Sequence, residues 1–169
     1  MLAVGKGIGG SKAFLRYGWD NLSLQDAWVD QGASYVVVEG MSAEKRPDIT
    51  TWNGANFVLS DKAYTALKES LAPYGEFLPL TIDGESSFVF NCMRLVEAEK
   101  SCSEPDIVDG LWLGVKSIGF SSESIEGNLI FKSKFDRCSS IYCGDSFKAL
   151  IESSELEGLM FVEDLVEGF

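Results

Sequence analysis

The sequence contains no histidine. That removes the side chain that most often serves as a base near neutral pH. Ser–His–Asp and Cys–His nucleophile systems are thereby excluded, and so are His-ligated metals. Base is scarce in the charge sense too, with 14 Lys and Arg against 26 Asp and Glu, a net of −12. There is no P-loop lysine motif and no basic patch studded with aromatics. Such a surface repels phosphate backbones, so no direct nucleic-acid binding is expected. No apolar run approaches the roughly 18 residues that a bilayer-spanning helix needs, so no membrane partner is expected. The glycine-rich start, Gly5 to Gly10, is too weakly apolar for a signal peptide, which points to a cytoplasmic protein.

Other absences narrow the chemistry further. Cys92, Cys102, Cys138 and Cys143 form no Cys-x-x-Cys pair, so no zinc site is expected. Four reduced thiols are expected, with Cys92–Cys102 or Cys138–Cys143 as the alternative pairings. Asp83, Glu85, Asp106 and Asp109 lack calcium-loop spacing. Glu97 and Glu99 share a face of a strand if one forms there, which describes an exposed edge as well as a carboxylate pair. Gly5, Gly7 and Gly10 match the letters of a dinucleotide fingerprint, but too few residues precede them for the strand that fingerprint requires. No cofactor and no catalytic residue is therefore assigned, and the chain is not expected to be an enzyme.

What is present is a short module written twice. Phe57–Leu80 and Ile141–Asp164 each read as a strand, a capped helix, a glycine turn and a second strand. Both contain Ala-Leu-x-Glu-Ser, at Ala66–Ser70 and Ala149–Ser153. In the first copy Ser60 caps a helix whose buried stripe is Ala63, Ala66, Leu67 and Leu71. Pro73 and Gly75 stop it, and a strand follows to Ile82, with Pro79 suggesting an edge position. Asp83-Gly84 signals a hairpin into a long strand, Ser87–Val96. In the second copy Gly144 or Asp145 caps a helix buried along Phe147, Leu150 and Ile151, and Gly158 turns into a strand at Leu159–Val162.

Between the copies, Trp112–Phe120 and Asn128–Ser133 read as strands joined by a polar link. Before them, Asn21–Gln31 reads as a helix capped by Ser23, with Leu24, Ala27 and Trp28 on one face and Gly32 at its end. Tyr35–Val38 reads as a buried strand. Gly40–Asn56 reads as a long polar loop. The fold class is α+β, mainly antiparallel sheet with a few short helices. One domain is expected, with candidate sub-halves 1–100 and 106–169 joined by a charged loop, Glu97–Asp109.

Interface candidates follow from position. Trp52 lies in the polar loop and is either a partner-binding anchor or folded back onto the sheet. Tyr74, beside Pro73, has the same standing. Glu152, Glu155 and Glu157 form an acidic cluster, either a solvated helix end or a docking surface for a basic protein. From Glu152 to Phe169 there are six acids and no base. Exposed sheet edges leave homo-oligomerisation open.

The stretch 128–161 resembles the C-terminal part of a family of immunity proteins from bacterial polymorphic toxin systems. Phe131-Lys132, Tyr142, Asp145-Ser-Phe147 and Gly158-Leu-Met-Phe161 carry the likeness. Phe57–Asp61 and Gly75–Leu80 are similar to an earlier segment of the same family. The resemblance implies a non-enzymatic inhibitor that binds a cognate toxin, a basic nuclease fitting the charge, and occludes its active site. The alternatives are an adaptor or scaffold domain and a hydrolase that works with carboxylates alone.

Overall fold

The computed structural model describes residues 2–4, 21–30, 32–35, 46–52 and 54–166. The glycine-rich segment at 5–10 and the strand expectation for 36–38 lie outside these residues. The fold is α+β, with mainly antiparallel strands and few short helices. Six strands form one mixed sheet in the order β1-β2-β5-β6-β4-β3. They are β1 (Leu2–Val4), β2 (Ala33–Tyr35), β3 (Ile49–Trp52), β4 (Asn56–Ser60), β5 (Gly75–Ile82) and β6 (Glu85–Cys92). Only the β2–β5 contact is parallel. Two small antiparallel pairs stand beside the sheet: β7 (Glu104–Val108) with β8 (Leu111–Ser117), and β9 (Ile130–Phe131) with β10 (Tyr142–Cys143). Helix α1 is Asp61–Leu71, α2 is Ser122–Ile125 and α3 is Asp145–Ser153.

The strand period of two sorts the core onto both sheet faces. Phe57, Leu59, Phe90 and Cys92 point to one face, where Ala63, Leu67 and Leu71 of α1 meet Phe147 and Ile151 of α3. Val58, Leu78, Leu80 and Val89 point to the other, where Ala33 and Trp52 join them and Leu24 and Trp28 cover them. A third cluster gathers Val96, Val115, Ile118, Phe131 and Tyr142. The first and third clusters both draw residues from either side of the Glu97–Asp109 stretch.

The first module forms as its residues indicate. Ser60 Oγ accepts from Ala63 N at 3.2 Å, a 3-10 turn follows at Ala72–Tyr74, and β5 begins at Gly75. Ala66 is exposed and does not belong to the buried stripe. β5 lies inside the sheet order, yet β2 reaches it only at Ile82. Pro79 thus falls where that side of β5 has no strand partner, and its carbonyl accepts from Trp28 Nε1 at 2.6 Å.

The second module keeps its strand and helix, but its end differs. Leu159–Val162 forms no strand. Leu159 and Phe161 instead pack on the core as irregular chain, with the Phe161 ring 6.2 Å from that of Phe147. Gly158 is forced by geometry. Its φ is +116°, and a Cβ there would run into the Ile49 carbonyl and Pro47.

Four further expectations are corrected. Asn21–Asp30 holds one turn and no helix, because its hydrogen-bonding groups go to the sheet. Leu24 N and Ser23 Oγ donate to the Glu76 carboxylate, both at 2.7 Å. Thr81 N and its hydroxyl donate to Asp30 at 3.0 and 2.6 Å. The loop expected through Asn56 contains β3, paired from Ile49↔Leu59 to Trp52↔Asn56. The loop expected at Glu97–Asp109 contains β7, because Asp109 and Gly110 both take positive φ and turn it into β8. The polar link after Phe120 contains α2, capped by Ser121, whose Oγ accepts from Ser124 N at 3.2 Å.

Candidate functional site

The interface candidates sit in quite different surroundings. Trp52 ends β3 and is 9 % exposed, packed in the cluster with Val58, Leu78 and Val89. It is a core residue and no loop anchor, because the pairing that makes β3 turns its ring onto the sheet. Tyr74 is half-buried against the first cluster. Its hydroxyl donates to the Gly127 carbonyl at 2.9 Å, and its own carbonyl accepts from Met93 N at 2.7 Å. It thereby ties two loops together.

Glu152, Glu155 and Glu157 are exposed at the C-terminal end of α3. Acids there face the negative end of the helix dipole, so the arrangement costs some local stability. The backbone around them holds the edge of the sheet. Glu157 O accepts from Asp48 N at 2.8 Å and Ile49 N at 3.1 Å, and Glu157 N donates to Asp48 Oδ2 at 3.1 Å. Lys62 Nζ bridges Asp48 Oδ2 at 3.0 Å and Glu155 O at 2.8 Å. Glu163 and Asp164 continue the acidic run and are also exposed.

A cleft of ≈ 470 Å³ opens beside this run. Thr51 and Phe57 form one wall, the start of α3 with Asp145 and Lys148 another, and the 159–165 segment a third. Cys143 lines it, but burial pushes that thiol up, with Asp145 adding to the effect. Burial also pushes the Cys92 thiol up, to about 11. Thiols held protonated at neutral pH are poor nucleophiles. Cys92, Cys102 and Cys143 are free thiols. Among the described residues, no group of three Cys, Asp or Glu could hold a metal ion. Among the described residues, no helix is long and apolar enough to cross a membrane.

Sequence reasoning missed a buried polar network. Lys132 is 0 % exposed and donates to Asn91 Oδ1 at 3.4 Å. Asn91 Nδ2 donates to Glu76 Oε1 at 2.8 Å and to the Leu22 carbonyl at 3.0 Å. Burial pulls the Lys132 ammonium below its ordinary value, against the opposing pull of Cys92, Cys138, Asp136 and Glu76. Asp136 is a second hub. It accepts from the Tyr142 hydroxyl at 2.9 Å, Cys138 N at 3.1 Å and Ser140 N at 3.1 Å. These groups set the shape of the loop before β10 and have no described opening to solvent through Lys132 or Asp136, both fully buried.

Sequence reasoning also missed the surface of the β7–β8 hairpin. Ile107, Val108, Leu111 and Leu113 are 53, 49, 67 and 60 % exposed. The signal was available in the pairing of Asp109-Gly110 with flanking aliphatics. Comparison of the chain with protein-family models and with curated proteins gives no match.

Proposed function

We propose that this chain is a non-catalytic immunity protein of the bacterial cytoplasm, which neutralises a cognate basic toxin by binding over its active site. The observation that carries this reading is the acidic run from Glu152 to Phe169, which holds no base. Its five described acids, Glu152, Glu155, Glu157, Glu163 and Asp164, are all exposed. An acid field of this kind steers a basic protein into contact and speeds association. The resemblance over residues 128–161 supports the same reading. A basic nuclease is the toxin class that the charge suits best.

The test is co-expression with the product of the adjacent reading frame, scored by growth and by co-purification. Rescue with a one-to-one complex whose association slows as salt rises is the expected result. A chain that neither rescues growth nor binds that product is no immunity protein to it. An adaptor role then becomes the leading reading, since the exposed hairpin suits a protein partner of any activity.

A further inference from the structure

Nine large apolar side chains are exposed among the described residues, and four of them fall within Ile107–Leu113. Contiguous exposed apolar surface on a protein with an adequate core marks an interaction site. Here the surface is carried on a two-stranded hairpin. Val108 pairs with Leu111 across the turn, so their side chains share one face. Leu113 follows two residues on, at a register irregularity.

The root of the hairpin is held firmly. Val115 is buried in the third cluster. The Arg137 guanidinium lies 4.3 Å over the Trp112 ring. Gly119 N donates to Ser103 Oγ at 3.0 Å, and Glu99 N donates to Gly119 O at 2.7 Å. An apolar tip on an ordered root loses little freedom when it docks.

We propose that the β7–β8 hairpin is a docking finger, which inserts its aliphatic tip into an apolar pocket rimmed by lysine and arginine on a basic protein partner. The proposal deepens the inhibitor reading and rests on it. Charge selects the occupant. Residues 97–117 hold five acids, Glu97, Glu99, Glu104, Asp106 and Asp109, against Lys100 and Lys116, a net of −3. A second copy would bring the same field to the contact, on a chain of net charge −12. An anionic lipid surface or a nucleic acid would be repelled in the same way. A basic protein is attracted.

The mode of docking is also constrained. Pro105 lacks a backbone N–H on β7, and the pairing shifts register between Glu104 and Pro105 and again between Asp106 and Ile107. These features make β7 a poor edge for strand addition. The exposed aliphatic side chains at the tip favour side-chain insertion as the mode.

The experiment is calorimetric titration of the adjacent reading frame's product into the wild-type chain and into the double variant Leu111→Ser with Leu113→Ser. The melting temperature of each is measured alongside. Truncating two central anchors weakens binding about 100-fold or more, with the melting temperature unchanged. A second variant, Asp106→Asn with Asp109→Asn, slows association and flattens its salt dependence. Asparagine tolerates the positive φ that Asp109 adopts, so the turn survives. Wild-type binding that the leucine variant matches would overturn the finger and leave the inhibitor reading intact. Absence of wild-type binding overturns both. Sedimentation that shows a wild-type dimer, lost in the leucine variant, would assign the tip to a second copy and overturn the basic-partner proposal.

Discussion

Two hairpins in this molecule turn on the same dipeptide and have opposite fates. β5 and β6 turn at Asp83-Gly84, and β7 and β8 turn at Asp109-Gly110. All four turn residues have positive φ, between 50° and 85°. The first hairpin buries both faces, with Leu78 and Val89 on one side and Phe90 on the other. The second buries its root and leaves its aliphatic tip in solvent. Turn chemistry fixes that a hairpin forms. What lies above and below decides whether its apolar residues serve stability or remain for contact.

The largest expected effect tests that division directly. Leu78→Ala costs about 2–5 kcal/mol, because it removes packing and leaves a cavity. Leu111→Ala changes stability by no more than about 0.5 kcal/mol. Urea denaturation midpoints measure both, and a large cost at Leu111 would mean that its tip packs on the molecule.

The turns themselves give the next contrast. Gly84→Ala and Gly110→Ala each place a methyl group in the left-handed region, at about 1–2 kcal/mol. At Gly84 the cost lowers global stability. At Gly110 it shows mainly as faster amide exchange within β7 and β8, because opening the tip uncovers little of the core. Equal loss of global stability would join the two hairpins into one cooperative unit.

Cations separate the hairpins as well. Lys132 touches β6 through Asn91 and is held below its ordinary value by burial. Lys116 on β8 is exposed and is held above it, chiefly by its hydrogen bond to Glu104 at 2.9 Å. Between the folded and unfolded values of Lys132, the unfolded chain binds more protons. Stability from this group therefore rises as pH climbs towards the unfolded value of about 10.4. Lys116 has the opposite sign, since its contribution is lost as pH rises through its raised value. In Lys132→Met the alkaline rise disappears from denaturation midpoints taken across that window, while in Lys116→Met it persists.

The smallest effect concerns the strap over β5. Hydrogen bonds from the Thr81 hydroxyl, followed by the backbone of Gly32 and Thr81, hold the Asp30 carboxyl below its ordinary value. Its contribution is present above the unfolded value of about 3.9 and is lost as pH falls through the lowered one. The group is largely exposed, so Asp30→Asn costs at most about 1 kcal/mol at neutral pH. It also flattens the acid limb of the stability profile.

The same contrast explains what was legible in the sequence. Ser60, Pro73, Gly75 and Asp83-Gly84 act through bonds to near neighbours, and the first module forms where they indicate. The 21–30 segment fails as a helix because Glu76 and Thr81, some fifty residues away, take its polar groups. Trp52 looks like a loop residue until β4 pairs with its strand. β7 is hidden by Glu104, Pro105 and Asp106, which belong to an exposed edge and so lack the usual strand composition. Lys132 gives no sign of burial, since only the fold supplies Asn91. The acidic cluster was legible because charge needs no partner to be counted. The apolar tip was not, because exposure is decided by what fails to cover it.

The clamp of Glu157 on Asp48 and Ile49 has a consequence for the order in which this protein assembles. It joins residues more than a hundred positions apart, and it covers the outer edge of β3 at its first residue, Ile49. During synthesis, β3 and β4 emerge long before Glu157 exists. At about 5–20 residues per second the edge waits roughly 5–20 s for its partner. Through that interval the nascent chain carries an open strand edge at Ile49, which only the arrival of Glu157 closes.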